Sequence, residues 1–137
     1  MSKVPAEFQV ITDLAKAALF RRGIALFNRR EFFECHEVLE EIWTPARGPE
    51  RLFLQALIHF AVGFYHHGRG NQAGAERQLR KGLRKLAPYL PCYETVDTEK
   101  LKDDVSRRLE SIVARRSFAI YPRIRLQRGR SVARRSS

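Results

Sequence analysis

The stretch from Glu31 to Trp43, E-F-F-E-C-H-E-V-L-E-E-I-W, contains the residues best suited to chemistry. His36 and Glu40 lie four positions apart, so on a helix their side chains are neighbours. The pattern H-E-x-x-E differs from the zincin pattern H-E-x-x-H in its last ligand, and imidazole together with carboxylate can bind zinc, iron or manganese. His36 and Glu40 are therefore candidate ligands of a divalent transition metal, and Glu37 is the candidate catalytic base.

A helical arrangement, at roughly 100° per residue, divides this stretch into an apolar side and an acidic side. The apolar positions are Phe32, Cys35, Val38, Leu39, Ile42 and Trp43, whereas Glu34, Glu37 and Glu41 lie opposite them. His36 and Glu40 interrupt the pattern because they point to the apolar side. A buried carboxylate is costly unless it is paired, so Glu40 is predicted to have a partner or to lie at the edge of a pocket.

A second polar stripe lies on the helix predicted from Pro49 to about His67. This helix is apolar on nearly all sides and should be buried at the centre of a helical bundle. Its polar residues fall within roughly 80° of one another, and they are Arg51, Gln55, His59 and His66. We expect the two stripes to face each other and to form one polar cluster of His36, Glu40, Trp43, Arg51, Gln55 and His59.

Two interpretations of this cluster remain open, and with them the question of whether the protein is an enzyme. The cluster is either a structural or small-ligand site, in which Glu40 pairs with Arg51 or His59 and Gln55 satisfies the remaining groups. Alternatively, it belongs to a metal-dependent hydrolase whose candidate ligands are His36, Glu40, His59 and His66.

Periodicity and breakers predict five helices that would position these residues. Helix starts are expected at Thr12, Glu31, Pro49, Asn71 and Asp97–Thr98, and residues 1–11 are expected to be a loose lead-in. The helices should end near Asn28, Trp43, His67, Leu86 and Arg115. The predicted fold is a compact all-α domain of two antiparallel helical hairpins plus a closing helix, which leaves apolar surface for a homodimer.

A weak internal repeat supports the two-hairpin arrangement. A shift of the chain by 40 residues aligns Gly23 with Gly63, Cys35 with Ala75, and Leu39 with Leu79. Each half then reads as a helix, a short turn and a second helix, as in helical-hairpin repeats.

At 137 residues the chain should form one domain, predicted to cover residues 1–116. Residues 117–137 are predicted to be an extended to disordered arginine-rich tail, whose apolar start packs over the body. The two cysteines do not suggest a disulfide framework, and no apolar run is long enough to span a membrane. We therefore expect a cytoplasmic protein without a membrane partner.

The formal charge of +11 is concentrated in two places. The fourth predicted helix has a continuous basic face, and the tail from Arg115 onward contains arginines and no acid. These residues could bind nucleic acid or an acidic protein through salt-sensitive contacts, although no aromatic platform accompanies them. The candidate contacts are Arg77, Arg80, Lys81, Arg84, Lys85, Arg128, Arg130, Arg134 and Arg135.

Nucleophilic and phosphate-loop chemistry find little support. No serine lies beside a histidine, and G-R-G-N-Q-A-G-A has neither the lysine nor the preceding strand of a phosphate-binding loop.

Three blocks in the same order resemble the bacterial and archaeal family catalogued as domain of unknown function 309. They are F-N-R-R-E-F-F-E-C-H-E-V-L-E-E-I-W, R-L-F-L-Q-A-L-I-H-F-A-V and G-N-Q-A-G-A, within about residues 18 to 86. The resemblance implies a small all-helical fold and no particular activity. It also implies a family signature, F-x-x-H-E-x-x-E-x-x-W, carried here by Phe33, His36, Glu37, Glu40 and Trp43. The arginine-rich tail lies outside the resemblance.

Overall fold

The computed structural model describes residues 6–127, with side chains from Asp13 onward. Within these residues the chain forms five α-helices, one short 3-10 helix (Ala87–Tyr89) and no β-strand, so the predicted all-helical fold is confirmed. None of the helices in this part of the chain combines the length and apolarity needed to cross a membrane. The helices are α1 (Ala6–Asn28), α2 (Phe32–Trp43), α3 (Pro49–Gly68), α4 (Gln72–Leu86) and α5 (Thr98–Val113).

The start of α1 was predicted wrongly. The helix begins at Ala6, whereas the sequence suggested a loose lead-in up to a cap at Thr12. The alanine, glutamate and glutamine in residues 6–9 are favourable helix formers, and their propensity extends the helix beyond the apparent cap. The starts of α4 and α5 agree with the prediction, since Asn71 and Asp97 each accept a hydrogen bond from a backbone N–H of the first turn.

The helix α3 lies at the centre, packed against α2 on one side and α4 on the other. This position was predicted from its composition, because a helix that is apolar on most sides must be covered on most sides. Its largest buried side chains are Phe53, Leu54, Leu57, Phe60 and Phe64. Further from the centre, α1 packs against α2 and α5 packs against α4.

The repeat of 40 residues is visible as a repeated close contact. A Cβ atom built on Gly23 would lie 2.7 Å from Cδ2 of Leu39, and one built on Gly63 would lie 2.7 Å from Cδ2 of Leu79. Both leucines are fully buried. The first contact joins α1 to α2 and the second joins α3 to α4, so both helix pairs pack through the same glycine–leucine contact.

The turns that follow α1 and α3 also repeat. Glu31 N–H donates to the carbonyl of Leu26, and Asn71 N–H donates in the same way to His66, 40 residues further on. Each turn has a left-handed residue at its centre, Arg30 with φ 67° and Gly70 with φ 81°. Glycine adopts this conformation readily, whereas Arg30 is strained there.

Residues 117–127 pack against the helices in an irregular conformation. Asn28 holds this segment by two hydrogen bonds to the backbone of Ile124: its Nδ2 donates to the carbonyl (3.0 Å) and its Oδ1 accepts from the N–H (2.7 Å). Ile124 is buried, and the ring of Phe118 stacks on His67 at a centroid distance of 4.6 Å. The remainder of the predicted tail, residues 128–137, lies outside the described residues.

The contact between Gly63 and Leu79 gives a stability prediction. Gly63→Ala should lower the free energy of unfolding by about 1–3 kcal/mol, because the new methyl group would overlap the fully buried side chain of Leu79. Gly68→Ala is the matched control, since no heavy atom lies within 4 Å of its Cβ position and alanine is the better helix former. Urea denaturation of both variants measures the difference. Equal stabilities would show that α3 and α4 can separate slightly at no cost.

Candidate functional site

Nε2 of His36 lies 3.3 Å from Oε2 of Glu40, one turn further along α2. The pairing agrees with their spacing, but the expectation that both point to the buried side is wrong for Glu40. Its side chain is 48% exposed, against 24% for His36. The helix α2 contacts the core through Cys35 and Leu39, which are fully buried. Glu40 and Phe33 lie at the other edge of its apolar side, and this edge faces solvent.

Arg51 and Trp43 form a separate structural contact between α2 and α3. The guanidinium of Arg51 lies 4.1 Å from the centroid of the Trp43 ring. Its Nη1 donates to the carbonyl of Trp43 at 2.8 Å, with longer contacts of 3.3 Å to those of Thr44 and Ala46. Trp43 is the last residue of α2, and its carbonyl also accepts from the Ala46 N–H at 3.0 Å. A positive charge is favourable at this end of a helix. Arg51 therefore caps α2 and attaches it to α3.

The Trp43 side chain contributes one unusual polar atom to this contact. Its Nε1 is buried and has no hydrogen-bond partner among the described residues. A buried indole N–H normally finds an acceptor, so this atom departs from the usual pattern.

His59 has its partners on α4. Its Nδ1 lies 2.8 Å from Oε1 of Gln78, and its Nε2 lies 2.9 Å from Nζ of Lys85. The tautomer that satisfies both contacts donates from Nδ1 to Gln78 and accepts at Nε2 from the ammonium group. Burial lowers the pKa of His59, the hydrogen bond to Gln78 raises it, and the charges of Lys85, Lys81 and Arg84 lower it further. Burial lowers the pKa of Lys85, and the charges of Lys81 and Arg84 lower it further.

The predicted cluster is therefore divided between two edges of α3. Its α2 edge contains the pair His36–Glu40 and the Arg51–Trp43 contact, and its α4 edge contains His59. Gln55 is half-buried on α3, and Glu37 is exposed on α2.

The candidate metal ligands His59 and His66 have neighbours other than the His36–Glu40 pair. Nδ1 of His66 lies 3.4 Å from the Asn71 side chain, in the turn before α4. In the part of the chain whose side chains are described, no three or more His, Cys, Asp or Glu residues are gathered as metal ligands would be. Cys35 is buried, which raises its pKa to about 12, so its thiol is not poised to become a thiolate ligand.

The predicted basic face of α4 is present in the structure. Arg80 donates from Nε and Nη2 to the carboxylate of Glu76, while Lys85 is half-buried against His59. Arg77, Lys81 and Arg84 are exposed, and no ion pair is found for them with any described residue. The tail candidates Arg128, Arg130, Arg134 and Arg135 lie outside the described residues.

Charge is distributed unequally across α3. The helix α2 contains four glutamates and no lysine or arginine, whereas α4 contains five basic residues and only one acid. Because α2 and α4 pack on different sides of α3, these opposite charges do not neutralise each other locally.

Sequence reasoning missed two features of the site region. Gln78 was not recognised as the partner of His59, although it occupies the position equivalent to Val38 in the repeat and so falls on the inner edge of α4. A cavity of about 470 Å³ lies away from α4, where Phe20, Phe53 and Tyr93 meet. Its walls come from distant parts of the chain, so no local pattern indicates it.

Comparison with known proteins supports the resemblance seen in the sequence. The family model described as "Domain of unknown function (DUF309)" matches residues 20–78. Over 98 residues, 66% of this chain, the sequence is 33% identical to "Uncharacterized protein YpuF" of Bacillus subtilis (strain 168). The chain spans 56% of the length of that relative. The family match contains α2, α3 and the turn between α3 and α4, and it ends before residues 80–85 of the basic face.

The Arg51 contact predicts a loss of stability on substitution. Arg51→Met keeps an apolar stem against Trp43 but removes the donors to the α2 carbonyls, and should lower the free energy of unfolding by about 1–3 kcal/mol. Arg69→Met is the control, because that arginine is exposed and lies 5.6 Å from the Tyr65 ring. Urea denaturation measures both. A loss no larger than that of the control would contradict the capping role.

The contacts of His59 predict opposite pKa changes in two variants. Lys85→Met should raise the His59 pKa because it removes a neighbouring positive charge, and Gln78→Leu should lower it because it removes the hydrogen bond. Titration of the imidazole by NMR measures both. Since the pKa of His59 in the folded protein lies below the ordinary 6.5, the unfolded chain takes up a proton more readily than the folded protein. The free energy of unfolding should therefore be unaffected by His59 above pH 6.5 and should decrease as the pH falls below that value. An unchanged pKa in Lys85→Met would contradict the arrangement.

Proposed function

We propose that the protein is a helical module that binds nucleic acid, and that the basic face of α4 contacts the phosphates. The observation that carries this proposal is the group of exposed cations Arg77, Lys81 and Arg84, which have no ion-pair partner among the described residues, next to the Lys85–His59 contact. Arginine and lysine in such an unneutralised group are the usual source of phosphate affinity.

Burial is the largest cause of the lowered pKa of His59 and of Lys85, and the positive charges of this face lower both pKa values further. The charges of Lys81 and Arg84 contribute to both shifts. A protein that concentrates like charges in this way is stabilised when an anion lies against them. Binding of phosphates would therefore relieve repulsion within α4 and release counterions from the nucleic acid.

The length of the basic face favours a polyanion. Residues 77–85 extend over about 12 Å of helix. A nucleic-acid strand carries one phosphate per 3.4 Å of duplex axis, so this length matches several phosphates of one strand. A single small anion would leave most of the face unneutralised. The tail arginines at 128–135 would add further phosphate contacts.

The residues of the F-x-x-H-E-x-x-E-x-x-W pattern have a structural role in this proposal. Phe33 packs on Tyr65 of α3 at a centroid distance of 5.5 Å, and Trp43 lies under Arg51. These contacts fix α2 to the central helix. They therefore support the helical scaffold that presents α4, with the His36–Glu40 pair at its surface.

Fluorescence anisotropy with short labelled oligonucleotides, single-stranded and duplex, tests the proposal over a range of salt concentrations. The wild-type protein should bind with an affinity that falls steeply as salt increases. Lys81→Gln/Arg84→Gln should weaken binding and reduce the slope of log K against log salt by about 1 to 2, as expected when two phosphate contacts are lost.

Arg21→Gln/Arg22→Gln is the matched control, since both arginines are exposed on α1 and the variant removes the same charge. Equal effects of the two double variants would show that net charge, and not the α4 face, determines binding. Truncation after Gln127 separates the tail contribution from that of α4. If polyglutamate competes as well as an oligonucleotide of equal charge, the partner is an acidic protein and the nucleic-acid proposal is wrong.

A further inference from the structure

The cavity of about 470 Å³ lies apart from the basic face. It is bounded by α1, by the first turns of α3, by residues 93–95 and by residues 126–127. A cavity of this size falls within the range of small-ligand sites. None of the residues proposed to contact nucleic acid lines it, so it requires a separate explanation.

Aromatic rings form the inner wall of the cavity. The rings of Phe53 and Tyr93 lie 4.6 Å apart, and Phe20 lies 6.4 Å from Phe53. Tyr89 supports Tyr93 from behind, at a centroid distance of 4.8 Å. Phe53 is almost completely buried, whereas Phe20 and Tyr93 are only half-buried and present ring surface to the cavity. This wall would favour an apolar group and the face of Tyr93 would favour a cation.

The rim next to Tyr93 is acidic. Glu50 and Glu94 line the cavity on this side. Glu50 forms an ion pair with Lys16, with 3.1 Å between Oε1 and Nζ. Glu94 is exposed, and no ion pair is found for it with any described residue. Burial raises the pKa of Tyr93, and the charges of Glu94 and Glu50 raise it further, which indicates a negative potential at the phenol. Asp13 and Arg21 line the part of the cavity formed by α1.

We propose that this cavity binds a small organic cation with an apolar body, such as an alkylammonium or arylammonium compound. The apolar body lies between Phe20 and Phe53, and the ammonium group lies over the ring of Tyr93, next to the carboxylate of Glu94. This arrangement combines the two features that bind such cations in proteins: an aromatic face and a carboxylate that is not already neutralised. It is independent of the proposed role of α4.

NMR titration of isotope-labelled protein with 2-phenylethylammonium tests the inference. The amide signals of Phe53, Tyr93 and Glu94 should shift together and saturate. The neutral analogue 2-phenylethanol has the same apolar body, and it should bind about tenfold more weakly because it lacks the charge. The anionic analogue 3-phenylpropionate should bind more weakly still.

Two variants test whether Glu94 and Tyr93 bind the ammonium group. Glu94→Gln should weaken binding of 2-phenylethylammonium several-fold and leave binding of 2-phenylethanol unchanged, whereas Glu99→Gln, an exposed glutamate on α5, should change neither. Tyr93→Leu should also weaken ammonium binding, because it keeps an apolar side chain without the ring. Equal affinity for the ammonium and the alcohol, tighter binding of the propionate, or no shift with any of the three compounds would overturn the proposal. Each result leaves the oligonucleotide measurements unaffected.

Discussion

The close approach of paired helices at two glycines is the constraint on which the rest of the structure depends. Leu39 and Leu79 each occupy the space that a side chain on Gly23 or Gly63 would fill. Because both leucines are fully buried, this contact determines how closely α2 approaches α1 and α4 approaches α3. The same spacing of 40 residues relates the two turns, since α1 and α3 end 40 residues apart and α2 and α4 begin 40 residues apart. The central position of α3 follows from its contacts with both α2 and α4.

The polar residues of α3 show how a central helix can keep polar groups at its edges. Arg51 donates to the carbonyl of Trp43, the last residue of α2, and His59 contacts Gln78 and Lys85 of α4. Each half-buried polar group is thus satisfied by a different neighbouring helix. These contacts lower the cost of burial and connect α3 to both neighbours, so they support the scaffold without requiring a catalytic role.

The distribution of charge is a consequence of the same packing. Since α2 and α4 flank α3 on different sides, the glutamates of α2 are not placed to neutralise the basic residues of α4. Lys81 and Arg84 on the basic face therefore have no ion-pair partner among the described residues. Burial lowers the pKa of Lys85, and these two charges lower it further. The cavity near Tyr93 has the opposite local potential, because Glu50 and Glu94 lie beside an aromatic wall. The α4 face and the rim of the cavity thus carry opposite local charge.

Local chemistry in the sequence was sufficient to predict the five helices, the caps at Asn71 and Asp97, and the buried position of α3. These features depend on the helical period and on residues close in sequence, and both can be read from the chain directly. The basic face of α4 was predictable for the same reason. The start of α1 was not, because helix propensity at residues 6–9 outweighed an apparent cap.

Only the tertiary structure decided which groups meet. His59 was expected to join His36 and Glu40, but the rotation of α3 directs it to Gln78, and the packing of the core leaves Glu40 in solvent. The cavity near Tyr93 likewise depends on residues from α1, α3 and two later segments. A sequence pattern shows which face of a helix a residue occupies. Its partner depends on how neighbouring helices are rotated and spaced, and in this protein the buried leucine–glycine contacts constrain that spacing.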